Sequence, residues 1–346
     1  MKSAAQQHLL VFRFSSLGDV AMTVPVIRLL MDQYPQLHVT MVSTEFVRPL
    51  FTNIPRVQFY AADLKGKHKG VPGLFKLSRE LSKQFPFDGI ADLHNVLRTK
   101  ILKTFFLFSG KPVATIDKGR AEKKELTRQQ NKKLRPLKSN FQRYADVFSK
   151  LGFPIELKKE GGVSKISIHP AVKELKSQYQ LVGIAPFALH REKTYPAEKM
   201  QEVIRLLSKE NNVKICLFGG KNEAAVLEDW CAGMPNVMSV AGKMSFEEEL
   251  HWIAGLDVMV SMDSANMHLA SLFGVPVVSI WGGTHPYLGF YGWGQDPANA
   301  VQIELDCRPS SVFGNKNCHN DLACMKGISP LLVTERIISQ LKKRTV

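Results

Sequence analysis

Leu9-Leu10-Val11-Phe12-Arg13-Phe14 is a β-rich run, and Ser15-Ser16-Leu17-Gly18-Asp19 after it is a turn of small and polar residues. Residues 20–33 then form an amphipathic segment of helix length. Strand, tight turn and helix in that order is the opening of a βαβ unit. The same alternation recurs along the chain. Strands are expected at 9–14, 38–42, 57–60, 89–92 and 113–116, and again at 181–185, 213–218, 237–240, 258–261, 277–281 and 300–305. Their near-continuous Val, Ile and Leu content suits strands covered on both faces, as in parallel sheets. Helices are expected at 74–83, 197–211 and 265–273, and Ser245 with Glu248 three residues on makes a capping box that opens another. The fold class is therefore α/β, with two doubly wound, Rossmann-like domains expected to face each other across a cleft. Gly161 and Gly162 begin a stretch weak in periodicity. Domains are accordingly expected at 1–165 and 175–325, with a last helix in 326–346 packing back toward the first.

Composition narrows the class. With 346 residues, 45% hydrophobic and 22% charged, the chain is an ordinary globular protein, which excludes collagen, coiled coil and disorder. No window is apolar enough to span a bilayer, and residues 9–12 are too short a run for a signal-peptide core. A cytoplasmic location is expected. The net charge of +15 is unevenly held: residues 1–160 carry 28 Lys and Arg against 13 acids, and residues 161–346 carry 18 of each. A charge excess in one half creates a directed field and points to an anionic partner, although a solvated basic surface has the same composition.

In doubly wound sheets ligands sit outside the carboxyl ends of the strands, so chemistry is sought there. Asp19 opens the helix after the first strand; it suits a helix N-terminus, and equally a general base. Neither G-x-G-x-x-G nor G-x-x-x-x-G-K-[ST] is present. His190-Arg191-Glu192-Lys193, ahead of Tyr195-Pro196, offers cations to phosphate oxygens or is a solvated loop. Gly219-Gly220-Lys221-Asn222-Glu223 makes a turn that permits close approach of a ligand, with Glu223 suited to ribose hydroxyls. Asp263-Ser264-Ala265-Asn266-Met267-His268 ends a strand and starts a helix whose first N–H groups would meet an anion. An Asp–Ser cap accounts for the first two of these residues without any ligand, and His268 suits a core position. Gly282-Gly283-Thr284-His285-Pro286 supplies a second small, polar lip after the next strand.

Taken together, these blocks resemble glycosyltransferase family 9, the ADP-heptose:lipopolysaccharide heptosyltransferases. Arg13 to Val20, with Thr23 and Pro25, resembles the family's N-terminal signature, and Asp263 to Ala270 resembles its Asp-[Thr/Ser]-Gly-x-x-His block. Lys193-Thr194-Tyr195-Pro196, Gly242-Lys243 and Gly282 to Pro286 follow the family's order. Tyr195 stands where the family has Trp, Ala265 where it has Gly, Gly283 where it has Pro and His285 where it has Asp. The resemblance implies a GT-B fold and inverting, metal-independent transfer of a heptose from ADP-heptose to the inner core of a lipopolysaccharide precursor. It implies Asp19 as base and Lys193 as the cation for the departing diphosphate. Donor contacts would fall to Glu223, Gly242, Lys243, Asp263, Ser264, Ala265, Asn266, His268 and Thr284. Acceptor contacts would fall to Ser16, to His94, Asn95 and Arg98 after another first-half strand, and to Arg120, Lys123 and Lys124. No cofactor is expected.

The Lys/Arg-rich stretch 118–143 then acquires a purpose. It reads as a mobile loop held against an anionic acceptor or the inner face of the inner membrane. Other readings are a transferase with another nucleotide-sugar donor, or a sugar-nucleotide epimerase, which would turn over donor without acceptor. A nucleic-acid-binding protein is a third, but the basic stretch 118–138 has no aromatic residue on which bases would stack. Cys307, Cys318, Cys324 and His319 crowd one late loop, without a recognised zinc spacing.

Overall fold

The computed structural model describes residues 6–316 and 320–344. Two compact units emerge, one running up to Lys118 and from Asn140 to Val163, the other comprising Gly119–Ser139 and everything from Ser164 on. The first unit holds β1 (Gln7–Phe12), β2 (Leu37–Ser43), β3 (Val57–Ala61), β4 (Gly89–Asp92) and β5 (Val113–Thr115). All pair in parallel, in the order β3-β2-β1-β4-β5. Its helices are α1 (Leu17–Ala21), α2 (Thr23–Gln33), α3 (Gly70–Gln84) and α4 (Leu97–Thr104); after α5 (Arg120–Leu126), which belongs to the second unit, comes α6 (Asn140–Lys150). Leu10, Phe12, Leu74, Leu77, Leu81 and Leu102 pack into one core beneath the sheet. Strand β1 stops at Phe12 rather than at Phe14, because the Phe14 N–H turns aside to His94 Nδ1 at 3.4 Å.

The second sheet has the order β11-β10-β9-β6-β7-β8, again wholly parallel. Its strands are β6 (Gln180–Ala185), β7 (Val213–Leu217), β8 (Val237–Ser239), β9 (Val258–Met262), β10 (Val277–Ile280) and β11 (Ala300–Val301). The covering helices are α7 (Pro170–Lys176), α8 (Ala197–Leu207), α9 (Ala224–Asp229), α10 (Phe246–Ile253), α11 (Ala265–Leu272), α12 (Ala323–Lys326) and α13 (Pro330–Arg344). In each sheet the chain starts on an inner strand and winds outward both ways. The order therefore reverses between β1 and β4, and between β6 and β9. Phe12 pairs with both Val42 and Asp92, so the loops after β1 and β4 leave the sheet level with each other.

Two expectations about organisation need correction. The terminal helix does not turn its apolar face to the first unit. Val333, Ile337 and Leu341, spaced one turn apart, are buried in the second unit's core, where α13 packs against α8, β9 and β10. The stretch 118–143 is not a mobile loop of the first unit either. Its residues 140–143 begin α6, and Gly119–Ser139 carries α5 and is pinned within the second unit: Lys132 Nζ donates to the carbonyls of Asp306, Arg308 and Pro309 at 2.7, 2.8 and 3.3 Å. The Lys123 ammonium lies 4.1 Å from the centre of the Phe290 ring, and the Leu137 N–H bonds to Tyr287 O. A cation packed on carbonyls and an aromatic face is anchored, not waiting for solvent or lipid.

The packing of α13 sets its energetic share. Ile337→Ala should cost about 2–5 kcal/mol and lower the melting temperature, as deletions in packed cores do. Leu331→Ala, on the exposed face of the same helix, should stay within about 0.5 kcal/mol. Thermal and urea unfolding of the two variants distinguishes a helix docked in the core from one merely resting on it.

Candidate active site

The first unit's reversal point carries a charged cluster built on the turn after β1. Arg13 is buried, and its guanidinium bridges the gap: Nη1 donates to Leu93 O at 2.7 Å, and Nη2 pairs with Asp19 Oδ2 at 2.6 Å. Ser16 Oγ donates to the same oxygen at 2.9 Å, and Ser16 precedes the helix that Asp19 opens. The Tyr144 ring lies 6.0 Å from the Arg13 guanidinium carbon, and its hydroxyl donates to Asp19 O at 3.3 Å. The Asp19 carboxylate is thereby fixed at the carboxyl edge of the sheet, with its side chain still 23% exposed.

Across the reversal point, the fully buried Asp92 shapes the loop after β4. Its Oδ1 accepts from the N–H groups of His94 and Asn95 at 3.0 and 2.8 Å, and its Oδ2 pairs with Lys103 at 2.7 Å. Asn95 takes the left-handed region, φ 47°, which asparagine tolerates better than most residues, and its amide donates to Ile116 O. His94 accepts the Phe14 N–H at Nδ1, so the neutral ring carries its proton on Nε2. Burial, with Arg13 and Lys118 close by, pushes His94 down to about 4. Arg98 stands exposed on the first turn of α4.

In the second unit five adjacent strands deliver the expected donor residues to one edge. Lys193 follows β6, Glu223 follows β7, Gly242 and Lys243 follow β8, Asp263 to Asn266 follow β9, and Gly282 to Thr284 follow β10. The reversal point between β6 and β9 is again spanned by an ion pair, Lys193 Nζ to Asp263 Oδ2 at 2.8 Å. This pairing settles the capping alternative for Asp263. Ser264 does not cap α11 with its side chain either; its Oγ lies 2.8 Å from Ser261 Oγ. The first turn of α11, Ala265 and Asn266, stays half-exposed, while His268 one turn on is buried.

Other expected residues are already engaged. Glu223 Oε2 accepts the Gly220 N–H at 2.7 Å, closing its own turn. Lys243 is exposed and pairs with Glu228 at 3.0 Å, and Gly242 has φ 65°, where an added Cβ would come within 3.0 Å of Lys221 Cα. Thr284 is fully buried, and its Oγ1 has no hydrogen-bond partner among the described residues. Of the expected acceptor set, Ser16, His94, Asn95 and Arg98 gather on the first sheet's edge. Arg120, Lys123 and Lys124 stand on α5, which clusters with the second unit. The buried Lys123 is the furthest from a solvent-facing role.

The residues that hold these groups in place carry almost no signal in the sequence. Arg308 is buried and donates to Gly282 O, Ile303 O, Thr284 O and Gln302 Oε1, so one guanidinium fixes the lip after β10. It also ends β11 early, by taking the Ile303 carbonyl. Gly314, φ 72°, lies under the Lys193 stem, where an added Cβ would come within 2.5 Å of Lys193 Cγ. His285 accepts the Tyr287 N–H, and burial beside Arg308 and Lys132 pushes it down to about 4. Among the holding residues only Arg13, at the head of the first motif, and His285, in the lip after β10, fall within the motifs. Cys216, Cys231, Cys307 and Cys324 are free thiols, Cys318 and His319 lie outside the described residues, and no group of three potential metal ligands occurs among those described. No helix there is long and apolar enough to cross a membrane.

Comparison with known proteins accords with this geometry. The lipopolysaccharide core heptosyltransferase OpsX of Haemophilus influenzae is 25% identical over 295 residues, spanning 82% of this chain and 81% of that one. A glycosyltransferase family 9 structure from Veillonella parvula superposes with a TM-score of 0.75 at 19% identity, covering 99% of both chains. The ADP-heptose lipopolysaccharide heptosyltransferase II of E. coli gives 0.70 at 17% identity, covering 98% of this chain and all of that one. These likenesses establish the GT-B type of fold. The model of glycosyltransferase family 9 (heptosyltransferase) matches residues 74–318. The chain is a glycosyltransferase and belongs to that family.

Proposed function

We propose that this enzyme transfers a heptose from ADP-heptose to the inner core of a lipopolysaccharide precursor, with inversion at the anomeric carbon. The observation that carries the reading is the placement of Asp19, a partly exposed carboxylate fixed by Arg13 and Ser16 at the first sheet's reversal point. The acceptor hydroxyl oxygen attacks the anomeric carbon while its proton passes to Asp19. The bond from that carbon to the diphosphate oxygen breaks, and its electron pair leaves with the ADP. Neutral His94, with its proton on Nε2, donates a hydrogen bond to the acceptor, and Ser16, Asn95 and Arg98 line the same edge.

The second unit holds the donor. Lys193 neutralises charge building on the diphosphate, and the first turn of α11, at Ser264, Ala265 and Asn266, receives a phosphate with its N–H groups. Glu223 holds the ribose, Asp263 orients the sugar, and the lip ending at Thr284 closes the pocket. Arg120 and Lys124, exposed on the second unit, meet acceptor phosphates. The acceptor is an anionic glycolipid, which puts the enzyme at the cytoplasmic face of the inner membrane. A transferase is favoured over an epimerase because an acceptor site with its own base has no use in donor-only turnover.

Asp19→Asn should leave ADP-heptose binding, followed by thermal shift, near the wild-type value. Transfer should fall roughly 10²–10⁴-fold, the scale of general-base loss; an unchanged rate removes Asp19 from the chemistry. Lys193→Ala should slow transfer about 10²–10³-fold through the leaving group, and initial rates with saturating donor that match the wild type would exclude that role.

A third expectation concerns pH. His94 is held near 4 when folded and returns to the usual histidine range, about 6.5, when unfolded. The unfolded chain therefore binds the extra proton between these values. The stability from neutral His94 is complete above about pH 6.5 and is lost as pH falls toward 4, at up to about 1.4 kcal/mol per pH unit. His94→Gln should flatten this acid-side fall in melting temperature, and equal slopes in both proteins would show that His94 is not held neutral.

A further inference from the structure

The first unit leaves a row of apolar side chains uncovered on α3 and α4. Val71 and Phe75 stand one turn apart on α3 and are 52% and 51% exposed. On α4, Leu97 is 74% exposed, and Ile101 and Phe105 follow at successive one-turn steps, half-buried. The rings of Phe75 and Phe105 meet edge to face, with centroids 5.4 Å apart, which joins the two helical rows into one. Leu107, 67% exposed, continues it beyond α4. Soluble surfaces carry scattered exposed apolar residues, but a continuous row on neighbouring helices marks a contact surface.

The charge around this row identifies what it contacts. Residues 65–111 hold ten Lys and Arg against three acids. Each acid is already engaged: Glu80 with Lys67, Asp88 with Lys111 and Asp92 with Lys103. Lys69, Lys76, Arg79, Lys83 and Lys100 are exposed and make no ion pair among the described residues. Apolar side chains flanked by unneutralised cations on long stems match the boundary between acyl chains and anionic headgroups. The row also begins beside the proposed acceptor site, since Leu97 lies two residues beyond Asn95 at the carboxyl end of β4.

We propose that the α3–α4 face, centred on Phe75 and Leu97, docks the enzyme on the surface of an anionic lipid bilayer. The proposal deepens the reading of a glycolipid acceptor by naming the surface that brings the first unit's edge to the membrane. It replaces the 118–143 segment, whose Lys123 and Lys132 are occupied within the second unit, as the main membrane contact.

The test is co-sedimentation of the full chain with vesicles of phosphatidylethanolamine and phosphatidylglycerol, and with phosphatidylcholine vesicles, in the absence of donor and acceptor. Wild type should bind the anionic vesicles and not the neutral ones. The double variant Phe75→Ser/Leu97→Ser, and separately Lys76→Gln/Arg79→Gln, should lose binding by about tenfold or more. Melting temperatures should be unchanged, because all four side chains are exposed. Arg128→Gln/Arg135→Gln, in the other basic segment, should bind nearly as wild type, both side chains being exposed and outside the proposed site. Undiminished binding of the Phe75/Leu97 variant, equal binding to neutral vesicles, or a full loss in the Arg128/Arg135 variant would overturn the proposal. So would a wild-type dimer, seen by light scattering, that these substitutions disperse without altering vesicle binding. Because no sugar is present, a protein that docks on vesicles yet transfers no heptose refutes the reaction and leaves the docking surface standing.

Discussion

Parallel strands cannot be joined by tight turns, so each needs a crossover, and a sheet wound outward from an inner strand must reverse direction once. At that reversal two loops leave the carboxyl edge side by side with no helix packed between them. Both sheets of this enzyme obey the constraint, and both place charge there. Arg13 and Asp19 lie at one reversal, Lys193 and Asp263 at the other. The charged residues differ between the two, but the backbone reason for their position is shared.

Charged groups at such an edge need partners that hold their direction, and here the partners come from deeper in the fold. Arg13 reaches Asp19 from a buried position, with the Leu93 carbonyl and the Tyr144 ring on either side. Asp92, fully buried, organises the adjacent loop through two backbone N–H groups and Lys103. In the second unit the Lys193 stem lies over Gly314, and Arg308 ties the neighbouring lip to four acceptors. Charged groups carried on loops are thus positioned by residues whose own side chains are immobilised.

How much of this is legible in the amino-acid order depends on the range of each interaction. Strand runs such as Val258–Met262 and the small residues after them are local patterns, so the edge carrying Asp263 and Ser264 is readable from the chain itself. The amphipathic stripe of α13 reveals that one face is buried but not against what, which is why the helix is expected on one unit and found in the other. Charge alone makes residues 118–143 look like a free basic loop; nothing local announces that Lys132 will find three carbonyls more than 170 positions away. Arg308 and Gly314 give no sign for the same reason, since each acts on a loop distant in sequence. The helix-cap reading of Asp263 and Ser264 is locally sound and loses to Lys193 and Ser261, partners that only the folded sheet supplies.

The strap formed by Gly119–Ser139 has a consequence for how such enzymes can be recombined. Its Lys132 grips the very loop from which Arg308 reaches the lip after β10. The second unit is therefore encoded in two separated stretches, with a segment of the first unit between them. A hybrid spliced once between Val163 and Ser164 would combine one parent's strap with the other parent's loop. Exchanging the whole second unit of this chain takes three crossovers rather than one, after Lys118, after Ser139 and after Val163.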